Sequence, residues 1–334
     1  MGSEDPAGRQ LILGLRARID EALRPLLTRG SRVALLGFPH YGNVGDSAIW
    51  EGARRCLDRL GCRIVHTAGR RTYSSRRLRS LSETVDVILL SGGGNLGDLW
   101  MAEQAFRERV ILDFPDRRIV QLPQSIWFTS PRLLAQARTV LGRHGDLTLL
   151  CRDHGSLEQA RAQLTASAVL CPDLALELEL ARREPVTAPI LWLSRGDRES
   201  LHRPDGASGT IPVIDWAQPA TFRDRALAAA VTVPLIDNRM RLRHRFDRWR
   251  SSGEALVARR RVEMGRRTLA AAQVVITDRL HGHVFCLLMG IPHVILDTRQ
   301  GKLAGFHSTW TSGSGITSVA RSAADAGELA RLLL

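Results

Sequence analysis

Residues 277–297 place charged and titratable side chains at the start of an otherwise apolar segment. Asp278, Arg279, His281 and His283 follow a strand-like run, VVIT, and lead into apolar residues. A helix that begins here would direct its N-terminal N–H groups and the Arg279 guanidinium at one spot, which favours an anion. His281 would add a group that donates or accepts a proton near neutral pH. The pattern predicts a ligand site at a helix tip; a capped helix with a buried histidine is the alternative.

A second polar loop, YGNVGDS, lies between the first apolar strand and the helix after it. It contains Gly42, Asn43, Gly45 and Asp46. Ligands of open parallel α/β sheets bind beyond the carboxyl ends of the strands, where this loop would lie. Capping of the helix by Asp46 or Ser47 explains the polar residues equally well. A cap alone does not need the neighbouring glycines, so we favour a ligand-binding loop.

The run GGGNLG, at residues 92–97, matches the spacing of a dinucleotide-binding fingerprint. It follows the third strand instead of the first, and no acidic residue ends the next strand to hold a ribose. NAD or FAD is therefore disfavoured. We expect Gly93, Gly94 and Asn95 to let a ligand approach backbone N–H groups, with a tight turn that binds nothing as the alternative.

Two further cations are candidates for an anion site. Arg195 lies in LSRGDRE with Asp197 and Glu199, after the first strand of the second half, where a surface turn is an equally good explanation. Lys302 is the single lysine among 47 basic residues, and arginine supplies the rest. An ammonium group can occupy a space that a planar guanidinium cannot. We therefore predict a ligand-binding role for Lys302, against the alternative of an accidental surface lysine.

Short apolar strands alternate with amphipathic helices along the chain, which predicts parallel sheets covered on both faces. A charged, proline-bearing stretch at residues 179–189 divides two such sets. The expected architecture is α/β, with two Rossmann-like doubly wound domains and a cleft between them. We expect an N-terminal helix in 1–30, the two domains in 31–184 and 185–320, and a C-terminal helix in 321–334. Asp153 and Asp173, which follow strands, are explained as turn or cap residues.

The composition narrows the function classes. The apolar runs are too short or too interrupted to cross a bilayer, and no signal peptide is recognisable, so a cytoplasmic protein is expected. Five cysteines without CxxC spacing indicate buried reduced thiols and no metal site. The net charge is +13, but the basic residues are dispersed and aromatic residues make up only 5%, which disfavours nucleic acid. The arginine-rich segment 239–267 predicts either contact with an anionic membrane or a solvated helix face.

The ordered set of motifs resembles the polysaccharide pyruvyl transferase family. The shared segments are GNVGDSAIWEG, SGGGNLGD, PQS, RD–S followed by PD, an SRGD-type turn, and TDRLHGHVFCLLMGIP with a lysine beyond it. The resemblance runs from the first strand to beyond IPHVILD and implies two Rossmann-like domains in a GT-B-like arrangement. The segment 239–267 departs from the family pattern.

The resemblance also implies an activity, the transfer of pyruvate from phosphoenolpyruvate to a sugar as a cyclic ketal. The family's RLH tripeptide corresponds to Arg279, Leu280 and His281. Arg195 is the best match for the family's donor-binding arginine, and Lys302 is similar to its lysine. The resemblance therefore implies a phosphoenolpyruvate site in the second domain and an acceptor site in the first.

Ketal formation requires a group that both donates and accepts protons, and we predict that His281 is this group. Asp46, across the cleft, is predicted to orient or deprotonate the acceptor hydroxyl. No metal or cofactor is expected, because arginines can stabilise the departing phosphate.

Three other functions stay open on the sequence. A GT-B nucleotide-sugar glycosyltransferase would share the fold and an anion site. A nucleic-acid-binding protein would use the positive net charge to bind phosphates. A scaffold in a polysaccharide assembly would need no catalytic residues. The sugar, its linkage to a lipid and the formation of a homo-oligomer are open as well.

Overall fold

A computed structural model of the chain describes residues 6–165, 167–182, 184–196, 201, 211–216 and 240–334, with only the backbone described at 82 and 240–248. The helices are α1 (Pro6–Leu23), α2 (Val44–Arg59), α3 (Ser75–Arg79), α4 (Met101–Asp113), α5 (Pro131–Gly142), α6 (His154–Gln163), α7 (Met240–Ala270), α8 (Leu280–Met289), α9 (Lys302–Phe306) and α10 (Ala323–Leu332). The strands are β1 (Arg32–Leu36), β2 (Arg63–Ala68), β3 (Val87–Leu90), β4 (Gly93–Gly97), β5 (Ile119–Trp127), β6 (Leu147–Cys151), β7 (Ala168–Leu170), β8 (Ala188–Leu193), β9 (Val213–Ile214), β10 (Ala272–Thr277), β11 (His293–Leu296) and β12 (Thr317–Ala320).

The first sheet has the strand order β2-β1-β3-β5-β6-β7, and β4 also pairs with β5. Every pairing within it is parallel. Its central strands are buried, because helices cover both faces. The predicted α/β class with parallel sheets is therefore confirmed for this half of the chain.

The second sheet is parallel as well, with the order β12-β11-β10-β8-β9. The sequence pattern takes the strand in IPHVILD as the last of this sheet, which is wrong, because β12 pairs with β11 beyond it. The helix predicted at 219–230 and the strand predicted at 231–237 lie outside the described residues. The strands of the two sheets fall in 32–170 and 188–320, while the exact domain boundaries stay a prediction.

The glycine run expected as a loop is the strand β4. Pro123 of β5 cannot donate a backbone hydrogen bond, and the pairing of β5 shifts register between Gln121 and Gln124. Gly93 and Gly97 have φ of +139° and +144°, which L side chains rarely adopt. Glycine at these two positions therefore allows the chain to pair with β5 directly after β3.

The arginine-rich helix α7 packs one face against the rest of the molecule and leaves the other face exposed. Val257, Ala258 and Val262 are buried in the main core. Arg259 pairs with Glu51 of α2 at 2.8 Å, and the Arg261 guanidinium donates to the Pro39 carbonyl at 2.8 Å. From residue 249 on, the segment therefore has one packed face and one exposed face, and whether the exposed face meets solvent or a membrane stays a prediction.

The composition predicts buried reduced cysteines and no run that crosses a bilayer. The five cysteines are free and buried. Within the described ranges, each helix falls short of the length and apolar content that a bilayer crossing requires.

Candidate active site

A cleft of about 530 Å³ lies where the loops beyond the carboxyl ends of both sheets meet. The sequence-predicted residues that line it are Asn43, Gly45, Asp46, Gly94 and Asn95 from the first sheet, and Arg195, Arg279, Leu280, His281 and Lys302 from the second. Gly42 and Gly93 are not part of this lining. Asp197 and Glu199 lie outside the described residues. The structure thus brings most of the predicted residues together.

Asn43 caps helix α2. Its side-chain Oδ1 accepts hydrogen bonds from the N–H groups of Gly45 at 2.8 Å and Asp46 at 3.3 Å. The alternative in which Asp46 or Ser47 is the cap is therefore wrong. Asp46 instead lies in the first turn of α2, on the cleft lining and beside the Tyr41 hydroxyl. Burial of this hydroxyl, and then the Asp46 carboxylate, raise the pKa of Tyr41 well above its usual value.

His281 is held between α2 and a buried aspartate. Arg279 is the N-cap residue of α8, and its extended backbone places His281 in the first turn. The Nε2 atom of His281 is 3.5 Å from Oδ2 of Asp173. On the other side, a β-carbon added to Gly45 would lie 2.4 Å from Nδ1 of His281. Gly45 is therefore required for the close approach of the imidazole to the start of α2.

Asp173 and Arg152 form a buried ion pair behind the histidine. The Nη1 atom of Arg152 lies 2.7 Å from Oδ2 of Asp173, and both side chains are almost fully buried. Burial alone would disfavour the Asp173 carboxylate, but His281 and then Arg152 outweigh it and hold the pKa of Asp173 well below its usual range. Asp173 also caps the turn after it by accepting from the Ala175 N–H at 2.9 Å. Asp173 is thus a cap residue, as predicted, and it also contacts His281 and Arg152.

Arg152 is a cleft cation that the sequence interpretation missed. Its Nε donates to the Ser125 hydroxyl at 2.8 Å, and that hydroxyl donates to Asp153 at 2.7 Å. These contacts join the RD–S, PD and PQS segments into one buried network. No spacing along the chain indicates that the three segments meet, so the sequence carries no local signal for this network.

Arg279 faces the cleft with part of its hydrogen-bonding capacity unused. Its Nη2 pairs with Asp215, which follows β9. Its Nε atom is buried and has no hydrogen-bond partner among the described residues. A planar guanidinium with a buried unused donor favours an anion in the adjacent space.

Asp278 is a second residue that the sequence interpretation passed over. Its side chain is 1% exposed, it lines the cleft, and Oδ1 accepts from the Arg195 N–H at 2.9 Å. Oδ2 is buried without a hydrogen-bond partner in the described part of the chain. Burial raises the pKa of Asp278 to about 6, although Arg279 and Arg195 oppose the shift. A carboxyl group in this state can carry a proton near neutral pH.

Lys302 reaches across the cleft to the glycine run. Its Nζ donates to the Gly94 carbonyl at 2.7 Å, and the side chain is 8% exposed. Lys302 begins the short helix α9, which fixes its backbone beside the cleft. A β-carbon on Gly94 would lie 2.7 Å from Nη2 of Arg152 and 3.0 Å from Nζ of Lys302. Gly94 is what allows these two cations to lie close together.

Asn95 is fixed by a buried polar network under the glycine run. Its Oδ1 accepts from Arg107 at 2.7 Å and from Gln124 at 3.2 Å. Burial lowers the pKa of Arg107 to about 10, so this guanidinium still carries its charge. The side chain of Asn95 is thus held in place by Arg107 and Gln124, and the residue lines the cleft.

His283 does not reach the cleft. Its Nδ1 lies 2.7 Å from Nε2 of His293, and its Nε2 lies 2.9 Å from the Thr311 hydroxyl. Burial lowers the pKa of His283 well below its usual value and that of His293 to about 4. Of the histidines at this helix tip, only His281 belongs to the site.

Comparison with known proteins gives one family. Residues 43–300 match the family model described as polysaccharide pyruvyl transferase. The chain is 34% identical to "Pyruvyl transferase 1" of Schizosaccharomyces pombe over 298 residues, which cover 84% of this chain and 70% of that protein.

A more distant relative and a solved structure are also similar to this chain. EpsO of Bacillus subtilis, described as a candidate pyruvyl transferase, is 26% identical over 87% of this chain and 89% of its own. The fold is similar to a Klebsiella pneumoniae protein of uncharacterised function, KP1_0663, with a TM-score of 0.56 and 16% identity over 96% of this chain and 100% of that one. This last likeness concerns the fold alone.

Proposed function

Because the chain belongs to the polysaccharide pyruvyl transferase family, we propose that it transfers pyruvate from phosphoenolpyruvate to a sugar of a cell-surface or exopolysaccharide glycan. The product is a cyclic pyruvate ketal, and phosphate is released. The two sheets are proposed to form a GT-B-like pair of domains, with the donor on the second and the acceptor on the first. No cofactor is included in the proposal.

The cation cluster at the tip of α8 is the observation that carries the proposal. Arg279, Arg195, Lys302 and Arg152 line one part of the cleft. Phosphoenolpyruvate concentrates a carboxylate and a phosphate in a small volume, and such an anion is stabilised by several fixed cations and a helix N-terminus. The buried unused Nε of Arg279 is a donor that this ligand would satisfy.

The proposed reaction joins two hydroxyl groups of the acceptor to C2 of one phosphoenolpyruvate. One acceptor hydroxyl attacks C2 of the enol while the methylene carbon takes up a proton and becomes a methyl group. A second hydroxyl then attacks C2, the C2–O bond to phosphate breaks, and phosphate leaves. Of the two hydroxyl protons, one is accounted for by the methyl group and the other by the released phosphate.

His281 is proposed to move the first of these protons, from a hydroxyl to the methylene carbon. Asp46 is proposed to orient or deprotonate the acceptor hydroxyl from the opposite side. General acid–base groups contribute about 10²–10⁴-fold to rate, so His281→Ala should lose turnover by that order while it keeps the wild-type melting temperature. An alanine variant within about threefold of wild type would remove His281 from the mechanism.

The main test uses purified enzyme, phosphoenolpyruvate and a panel of galactosides, glucosides and mannosides. We expect phosphate release that depends on one of these acceptors, together with a product whose mass gain matches a pyruvate ketal. Release without an acceptor, or no consumption of phosphoenolpyruvate with any of them, contradicts the proposal. Calorimetry with UDP- and GDP-sugars tests the glycosyltransferase alternative, which the family does not favour.

A lipid-linked acceptor is proposed as the physiological form, which would bring the enzyme to the inner, anionic membrane surface. Segment 239–267 is the candidate contact, although Arg250 donates to the Thr67 carbonyl at 2.6 Å and Arg259 and Arg261 also bond within the molecule. Co-sedimentation with neutral and anionic vesicles tests this contact. Equal binding to both vesicle types counts against it.

A further inference from the structure

The two sides of the cleft differ in chemistry. The cations that we assign to the donor come from the loops of the second sheet and from Arg152. The opposite side is formed by the loop after β1 and the start of α4, and it presents Tyr41, Trp100 and Met101. Arg70, which follows β2 and also lines the cleft, pairs with Glu103 at 3.2 Å, so this side carries little net positive charge.

The apolar side chains on this side are exposed. Tyr41 is 43% exposed, Trp100 38% and Met101 44%, and all three line the cleft. A single exposed apolar side chain is ordinary on a protein surface. Several that line one cleft form a patch, and exposed patches of this kind mark binding sites.

The cleft has space for a second molecule beside the donor. Its volume is about 530 Å³, and ligand sites of this size enclose molecules considerably larger than phosphoenolpyruvate. The donor would occupy the cationic part, which leaves the part next to Tyr41 and Trp100. Both parts belong to one cleft, so an acceptor bound there would share the cleft with the donor.

Polar groups border the aromatic patch. The carboxylates of Asp46 and Glu103 line the same side of the cleft, and the Tyr41 hydroxyl lies beside Asp46. A hexopyranose has C–H groups on its ring faces and hydroxyls around its edge, which matches an aromatic surface bordered by hydrogen-bond acceptors. A lipid chain or a hydrophobic peptide would cover these carboxylates without offering them further hydrogen-bond donors.

We propose that Tyr41 and Trp100 form an acceptor subsite, in which a hexopyranose stacks a C–H face on the Trp100 indole and offers its edge hydroxyls to Asp46. This inference rests on the proposed function and gives the acceptor's place and chemical class. It separates donor binding from acceptor binding, since Tyr41 and Trp100 are not among the cations that we assign to the donor.

Steady-state kinetics on Trp100→Ala tests the subsite, with the hexoside that the wild-type enzyme accepts among methyl β-galactopyranoside, methyl β-glucopyranoside and methyl α-mannopyranoside. Loss of an aromatic contact at the centre of a binding site should raise the KM for the hexoside by about tenfold or more. The KM for phosphoenolpyruvate should stay within about twofold, because the donor cations are untouched. Trp100→Phe keeps an aromatic face and should recover most of the loss.

Trp249→Ala is the matched control, because Trp249 is 49% exposed on α7 and does not line the cleft. It should leave both KM values unchanged. The subsite is wrong if Trp100→Ala leaves the hexoside KM unchanged, or if it raises both KM values equally. A wild-type enzyme that consumes phosphoenolpyruvate with none of the hexosides contradicts the proposed function instead, so the two failures are distinguishable.

Discussion

Asp278 is an acidic side chain at the edge of a site that we assign to an anion. One of its oxygens accepts from the Arg195 N–H, and the other is buried without a partner among the described residues. Ionisation is therefore costly, and burial raises its pKa to about 6. An acid that binds its proton more tightly when folded destabilises the protein as pH rises through the interval between its unfolded and folded pKa values.

The first prediction is that Asp278→Asn becomes more stable relative to wild type as the pH is raised. The amide keeps the acceptor for Arg195 but never ionises. The difference in free energy of unfolding between variant and wild type should grow by about 2–3 kcal/mol between about pH 4 and about pH 8, because burial raises the pKa of Asp278 to about 6 in the folded protein. Denaturant unfolding at a series of pH values measures this difference. A difference that does not change with pH would show that Asp278 titrates as it does in the unfolded chain.

The role of Lys302 in donor binding is predicted to depend on the shape of its cationic group as well as on its charge. Its Nζ donates to the Gly94 carbonyl at 2.7 Å in a space shared with Arg152. A guanidinium is broader than an ammonium, so Lys302→Arg should raise the KM for phosphoenolpyruvate although the charge is kept. Lys302→Ala should be worse, because a charge-assisted hydrogen bond to an anion contributes about 1.5–3 kcal/mol.

Steady-state kinetics on both lysine variants, with melting temperatures as the control for folding, measures the effect. If Lys302→Arg equals wild type in kcat/KM, the single lysine is an accident of composition. The hydrogen bond to Gly94 would then be structural.

Helices α2 and α8 meet at their N-terminal ends, and their separation is set by a residue without a side chain. Gly45→Ala should favour helix α2 by up to about 1 kcal/mol through backbone propensity. Its methyl group would nevertheless lie 2.4 Å from Nδ1 of His281, so the imidazole must move. We expect a large loss of kcat with little loss of helix content.

Gly14→Ala is the matched control for this variant, because a β-carbon at Gly14, in α1, meets nothing within 4 Å. Circular dichroism and kinetics on both variants give the comparison. Full activity in Gly45→Ala would mean that the position of the histidine against α2 has no part in turnover.

Elements near the site can be predicted from the sequence where the residues that define them are adjacent along the chain. Arg279, Leu280 and His281 are adjacent in the sequence, and a helix that begins beside them needs only the change from strand to helical periodicity. The cap of α2 was harder, because Asn43, Asp46 and Ser47 all suit it by type, and only the backbone geometry selects Asn43. Strand β4 was missed, because a glycine-rich run has low strand propensity and pairs only because β5 extends alongside it.

The contributions of Arg152 and Asp278 could not be deduced from sequence patterns. Arg152 reaches His281 through Asp173, which follows a different strand of the sheet. The raised pKa of Asp278 comes from burial, which depends on how β8 and the tip of α8 pack. Such properties arise from tertiary packing between elements that are distant along the chain.

At the scale of the whole molecule, α7 ties the two sheets together. Gly265 of α7 lies against both α2 and α8, since a β-carbon there would be 2.5 Å from Val44 and 3.2 Å from Phe285. Arg259 and Arg261 add polar contacts to α2 and to the loop after β1. The helix therefore fixes the relative position of the two helix tips that meet at His281. The described part of this segment therefore has a structural role.

The charge of the whole chain should affect how fast the donor is captured. A protein with net charge +13 and a cationic cleft attracts a polyanion over distances comparable to the Debye length, about 10 Å at 0.1 M salt. We expect kcat/KM for phosphoenolpyruvate to fall severalfold between about 20 mM and about 200 mM sodium chloride, while kcat/KM for a neutral hexoside at saturating donor changes little. Sodium acetate at equal ionic strength should give the same slope, because screening does not depend on the identity of the anion. A fall seen only with chloride would indicate competition by that ion at the donor site, and equal slopes for donor and acceptor would show that the charge of the protein does not guide the donor.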